Sequence, residues 1–276
     1  MSKLNVAISA AKAAGSLIAE RIQTGKEVSY KSSHSDLVTE VDKQAEEIIC
    51  AKIREAYPSH AILGEEGVAP GVKASSEATE THEKMDHLWV VDPIDGTTNF
   101  VHGFPFCCVS IAYAYQGMVT CAVIYDPLTD ECFTAEKEQG AFLNGQALRV
   151  SEEKKLAESL IATGFPAADR IAAGINLSGI NYLAPRCRNL RAAGSAALHL
   201  AYVAAGRISG FWELQLNAWD LAAGSLLVEE AGGKVTDTCG NPYALHVRHI
   251  LATNDHIHSE MVEALATSAS QKPEMK

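Results

Sequence analysis

The chain has 276 residues, 47% of them hydrophobic and 21% charged, with 34 acidic against 23 basic side chains and a formal net charge of −11. This hydrophobic content suffices for one large core or two joined lobes, and no apolar run approaches the roughly 20 residues needed to cross a bilayer. An acidic surface lacks the clustered Lys and Arg that hold phosphate backbones or anionic lipid, so neither nucleic acid nor a membrane is the expected partner.

The opening MSKLNVAISAAKAAGSLIAERI is too charged and too alanine-rich for a signal peptide. It reads as an amphipathic helix with Leu4, Ile8, Ala11, Gly15, Ile18 and Ile22 on one face, and a cytoplasmic protein is expected. A short strand over 27–31 and a polar turn over 32–35 follow. A second helix over 40–56 buries Val41, Ala45, Ile48, Ile49 and Ile53, and Pro58 stops it before a strand over 61–63. The stretch GVAPGVKASSEATETHEK shows no periodicity and is expected to be a mobile surface loop over 67–84. Strands over 87–91, 106–115, 118–125 and 132–135, separated by short turns, form a meander that favours antiparallel pairing.

The second half alternates strand and helix. Strands are expected over 159–163, 189–191, 208–213, 234–236 and 250–252, helices over 168–182, 195–205, 219–231 and 257–266, with a frayed tail after them. Mixed sheets layered with helices on this plan give an α/β or α+β sandwich. The seven cysteines contain no C-x-x-C pair, which fits neither a zinc site nor a disulfide framework, and they are expected as reduced, mostly buried thiols.

Carboxylates at the edges of apolar segments carry the chemical signal. They are Glu65 in LGEEG, Asp92 and Asp95 in LWVVDPIDGTTNF, Asp220 in NAWDLAAG, and Asp42 at the start of the second helix. Leu88 to Val91 form a buried strand from whose end Asp92 emerges; Pro93, lacking an N–H, is expected to stop the ladder there. Asp95-Gly96 then turns the chain. Carboxylates three residues apart on such a turn face one point in space and repel unless a cation neutralises them, and hard oxygen ligands select Mg²⁺, Mn²⁺ or Ca²⁺ over zinc. The amides of Gly96 and Thr97, at the mouth of a helical turn, are placed to meet a phosphate. Each residue also has a plain structural reading. Asp-Pro and Asp-Gly are common turn dipeptides, Asp42 completes a T-x-x-D capping box with Thr39, Asp220 suits the first turn of its helix, and Glu65 and Glu66 suit a solvated loop.

At these residues the sequence resembles the inositol monophosphatase family. The resemblance rests on GEE at Glu65, WVVDPIDGTTNFVHGFP from Trp89, WDLAAG from Trp219, KSSHSDLVTEVD ending at Asp42, and EAGG from Glu230, and it spans nearly the whole chain. It implies a layered α-β-α-β-α sandwich in one phosphatase domain with two lobes, roughly 1–150 and 151–270, sharing one site. It implies Mg²⁺-dependent hydrolysis of inositol monophosphate, one metal site of Glu65, Asp92 and the Ile94 carbonyl, a second of Asp92, Asp95 and Asp220, and in some members a third magnesium near Glu65. The family pattern also selects Glu65 over Glu66. The expected catalytic residues are Asp42, Glu65 and Thr97; the Thr97 hydroxyl, held by Asp42, orients an attacking water and helps to accept its proton, with no phosphoenzyme. Around the ester, contacts are expected from Glu65, Ile94, Asp95, Gly96, Thr97 and Asp220; around the ring, from Glu213 and from the backbone of Gly194, Ser195 and Ala196. Related monoesterases of sugar, nucleotide or histidinol phosphates, and a non-catalytic regulatory protein on the same fold, are the alternatives. A homodimer and lithium sensitivity are implied by the resemblance alone. Lys31, His256 and His258 are read as surface residues.

Overall fold

The computed structural model describes residues 1–23, 28–30, 37–166 and 169–271. Lys31, the turn over 32–35, residue 168 and the last five residues of the tail lie outside the described residues. In chain order the first half comprises α1 (Lys3–Arg21), β1 (Val28–Tyr30), β2 (Leu37–Thr39), α2 (Glu40–Ala56), β3 (Ala61–Gly64), α3 (Val72–His82), β4 (His87–Asp95), α4 (Thr97–His102), β5 (Cys108–Tyr115), β6 (Met118–Asp126), β7 (Glu131–Glu136), β8 (Gly140–Leu143) and β9 (Gln146–Ala147). The second half comprises β10 (Leu160–Thr163), α5 (Arg170–Leu183), β11 (Asn189–Arg191), α6 (Ala196–Ala204), β12 (Gly210–Glu213), α7 (Ala218–Glu230), β13 (Lys234–Asp237), β14 (Ile250–Thr253) and α8 (His258–Thr267).

Strand alternation builds the layers. Along β4, Trp89 and Val91 pack with Ala11, Ile18, Val41 and Ile49 of α1 and α2, while Leu88 and Val90 face the other way, onto Leu198, Leu221 and Leu227 of α6 and α7. The seven-stranded sheet β3-β4-β5-β6-β7-β8-β9 therefore has helices on both faces. Phe211 and Ala252 of the five-stranded sheet β11-β10-β12-β14-β13 join the same α6/α7 core, and Trp212 and Leu251 point outward to Leu183, Met261 and Leu265 of α5 and α8. The result is a five-layer α-β-α-β-α sandwich. Helix α7 is buried on nearly every side, as a helix between two sheets must be. The meander is antiparallel from β4 to β9, and only β3 joins it in parallel.

Three expectations are corrected. The stretch from Val72 to His82 is helix, not loop. Its buried stripe is made of Ser75 and Thr79, one turn apart, with Ala78 against the core, so it lacks the leucine and isoleucine periodicity that marks a helix in sequence. His258 is buried, its two ring nitrogens 2.9 Å from the Thr236 and Thr253 hydroxyls, and burial pushes its pKa down to about 4; it is a neutral core histidine, while His256 is exposed. The start of the tail is anchored, Ser270 being buried with its hydroxyl donating to the Ile175 carbonyl at 2.7 Å. The cysteines are all free thiols, five of them buried.

Candidate active site

The site begins with an irregularity at the end of β4. Pairing with β5 runs to Asp92 opposite Ser110, slips, and resumes with Asp95 opposite Cys108. Pro93 and Ile94 thus stand against the single residue Val109, a bulge that bends the strand and re-aims its side chains. Pro93 does not end the ladder, as the sequence suggested; it sits where no N–H is needed. The chain then reverses at Gly96, whose φ of +98° is left-handed and caps α4. A Cβ there would lie 2.9 Å from the Phe106 carbonyl oxygen and 3.2 Å from that of Gly194.

Asp92 and Asp95 are brought by this bulge to the N-terminus of α7, where Asp220 occupies the third helical position. One carboxylate oxygen from each of the three lies within 4.8 Å of the others. Each carboxylate has a backbone anchor. Asp92 Oδ1 accepts from the Ile94 amide at 3.0 Å, and Asp220 Oδ2 accepts from the Asn217 amide at 2.6 Å. Asp95 Oδ2 accepts from the Ser195 hydroxyl at 2.5 Å and from the Ala197 amide at 2.6 Å, at the start of α6. Anchored at one oxygen, each acid keeps a fixed orientation toward the others.

Burial raises the pKa of Asp95, Asp220 and the neighbouring Glu213, and mutual repulsion adds to it. Asp220 is pushed up to about 8 by burial and by the charges of Asp95 and Glu65. Asp95 rises to about 6, burial outweighing its bonds from Ser195 and Ala197. Glu213, buried at the end of β12, is pushed well above the carboxylate range by burial and then by Asp220 and Asp95. Four acids this close, three of them buried and Asp220 half-buried, repel one another without a cation, and a divalent ion relieves that repulsion directly.

A cavity of about 710 Å³ opens beside these acids. Glu65, Asp95, Gly194, Ala196, Glu213 and Asp220 line it. Glu65 does not join the trio of converging carboxylates; of the Glu65-Glu66 pair it is the one on the cavity wall, while the Glu66 amide donates to Glu46 Oε2 at 2.9 Å. Behind the wall, Thr97 Oγ1 donates to Asp42 Oδ1 (3.0 Å) or to the Ile94 carbonyl (3.1 Å). Asp42 also accepts from the Thr39 amide (2.8 Å) and hydroxyl (2.6 Å). Its capping box is therefore real, and the same carboxylate reaches the Thr97 hydroxyl. Ser195 turns its side chain inward onto Asp95, so only its backbone can serve a ligand.

Sequence reasoning missed part of the wall. Thr98 and His102 line the cavity from α4, inside the motif already singled out, and one helical turn apart. Gln215, Asn217 and Arg248 also line it. Arg248 donates to Asn217 Oδ1 at 2.8 Å, and no local pattern ties it to residues 31 positions earlier.

The fold and the converging acids define a layered α/β protein with an acidic cavity site, and comparison with known proteins gives the family. The chain matches the inositol monophosphatase family over residues 2–274. It is 47% identical to the "Nus factor SuhB" of Pseudomonas aeruginosa, over 91% of each chain. It is 42% identical to "Inositol monophosphatase 2" of Solanum lycopersicum, covering 96% of this chain and 98% of that one. Among solved structures, an IMPase of Thermotoga maritima superposes with a TM-score of 0.85 at 35% identity, covering 97% of this chain and 98% of that one. The chain belongs to the inositol monophosphatase family.

Proposed function

We propose that this protein is a magnesium-dependent phosphomonoesterase acting on a small polyol phosphate, with inositol monophosphate the leading substrate. The observation that carries the reading is the meeting of Asp92 and Asp95 with Asp220, more than 120 residues further on, beside a cavity that also presents Glu65 and Glu213. The donor set fits a hard divalent cation. It is all oxygen and acidic, and the raised pKa values of Asp95 and Asp220 are ones that a cation would lower again. Asp92, Asp95 and Asp220 would hold the ions, two of them, joined by Glu65 and the Ile94 carbonyl. When bound, they supply neutralisation of phosphoryl charge and polarisation of water and of the leaving oxygen.

The chain's own residues do the rest. Asp42 accepts the Thr97 hydroxyl proton, so the lone pairs of Thr97 Oγ1 turn toward an incoming water and orient it. Burial raises the Asp42 pKa from its ordinary value against the opposing bonds from Thr39 and Thr97, which suits it to receive a proton through Thr97. Glu213, on the cavity wall, accepts from ring hydroxyls, and the backbone of Gly194 to Ala196 completes the ring contacts. A homodimer, lithium sensitivity and a cytoplasmic location belong to the same reading; among the described residues no helix is long and apolar enough to cross a membrane. The test is phosphate release from inositol 1-phosphate with magnesium, with and without chelator. Release that ignores the chelator, or none at all, overturns the reading.

A second reading is favoured by the 47% identity to a protein named a Nus factor: a regulatory role carried on the same fold, with or without hydrolysis. Chromosomal Asp220→Asn separates the two. If that variant behaves like the wild type in cells while a deletion does not, the regulatory role is the physiological one.

A further inference from the structure

Ala193, the residue before the Gly194 to Ala196 segment, has both sides of its backbone engaged. Its carbonyl accepts from Asn99 Nδ2 at 2.7 Å, and its amide donates to His199 Nε2 at 3.4 Å. Asn99, on α4, donates from the same nitrogen to the Phe106 carbonyl at 2.7 Å. One side-chain amide therefore spends both N–H groups on carbonyls more than eighty residues apart, tying the 96–106 turn to the segment that enters α6. Gly194 has a left-handed φ of +86°, and a Cβ there would lie 3.1 Å from Asn99 Nδ2. The close approach needs glycine.

His199 works from the opposite side. It is buried at 2% exposure between the rings of Phe106 and Phe211, with centroids 5.2 and 5.0 Å away. Burial pushes its pKa down to about 4, so the ring is neutral. Since Nε2 accepts the Ala193 N–H, the proton sits on Nδ1, which is buried with no hydrogen-bond partner among the described residues. Leaving a buried donor unmade costs stability, and a phenylalanine would fill the same aromatic slot without that cost. What phenylalanine lacks is the acceptor for Ala193.

We propose that Asn99 and His199 are positioning residues: they clamp the Ala193 peptide from two sides, hold the Ala193-Gly194 wall in register with the Asp95 centre, and so set the preference for a polyol ester over an ester without ring hydroxyls. This rests on the phosphomonoesterase reading above. Beyond the clamped segment the chain is held separately, Asp95 Oδ2 accepting from Ser195 and Ala197, so the Asp95 centre keeps its own anchors when the clamp is removed.

The experiment compares kcat and KM of the wild type, His199→Phe, His199→Gln and Asn99→Leu on inositol 1-phosphate and on p-nitrophenyl phosphate at saturating magnesium. Loss of one positioning hydrogen bond should raise KM for inositol 1-phosphate about three- to tenfold in His199→Phe and Asn99→Leu. Turnover of p-nitrophenyl phosphate should stay within about twofold, since only ring binding is disturbed. His199→Gln, which keeps an acceptor near the Nε2 position, should recover the wild-type KM. Equal losses on both esters, or an unchanged KM for inositol 1-phosphate, would overturn the clamp and leave His199 and Asn99 as packing residues. A wild type inactive on both esters would instead remove the phosphomonoesterase reading, and the clamp's role with it.

Discussion

Helices α2 and α7 begin in the same way. In each, a polar N-cap, Thr39 or Asn217, donates its backbone amide to an aspartate three positions on, Asp42 at 2.8 Å and Asp220 at 2.6 Å. The local device is one capping box used twice. The two aspartates nevertheless face different neighbours. Asp42 is met by the hydroxyls of Thr39 and Thr97, which favour its charged form against burial and the charge of Glu65. Asp220 is met by Asp95 and Glu65, which add to burial and carry its pKa to about 8. A carboxylate among hydroxyls is suited to accept from them and orient them, and a carboxylate among carboxylates is suited to hold a cation.

Substitution at the two helix starts breaks that contrast most sharply. Asp220→Asn keeps an acceptor for the Asn217 amide but removes the charge. Magnesium-dependent phosphate release should fall by more than about a hundredfold, exceeding the roughly 10- to 100-fold typical for an outer partner of a metal ligand. A magnesium titration should show weakened affinity as well. Asp42→Asn should behave differently. The prediction there is a kcat reduced about 10- to 100-fold with magnesium affinity intact, within the range of one acid–base group. Weaker metal binding with normal turnover at saturating metal would show that Asp42 belongs with the acids of the other helix.

pH sharpens the comparison without mutation. Asp220 has a folded pKa of about 8 against about 3.9 unfolded, so the folded state binds its proton more tightly. Its stabilising share is complete below about pH 4 and is lost as pH rises through about 8. The melting temperature of chelator-treated protein should therefore drop across that window. Magnesium should restore more as pH rises, because the ion binds the deprotonated acids. A melting curve indifferent to magnesium throughout would sink the cation site. The smallest effect belongs to the cap itself: Thr39→Ala should cost about 1 kcal/mol in urea unfolding, the usual worth of such a cap.

Much of this was legible in the chain. The second helix was placed over 40–56, as found, because an N-cap, an apolar stripe and Pro58 bound it. Asp92, Asp95 and Asp220 stood out as acids at the edges of apolar runs. Strands β8 and β9 went unread because four and two residues give too little alternation to count, and α3 because its buried face is serine, threonine and alanine. Arg248 and the Asn99–Ala193 bond carry no local signal, since each joins segments far apart in the sequence.

By itself, the sequence determined the capping box at Thr39, the glycine turn after Asp95 and the order of most strands and helices. These depend on neighbours within a few residues, whose geometry the backbone fixes. Only the tertiary structure decided that a bulge at Pro93 and the mouth of α7 would bring three acids together, and that Asp42 would meet a threonine 55 residues away. The physical reason is that charge–charge energy depends on distance and burial, and both are set by packing layers whose contacts cross the whole chain.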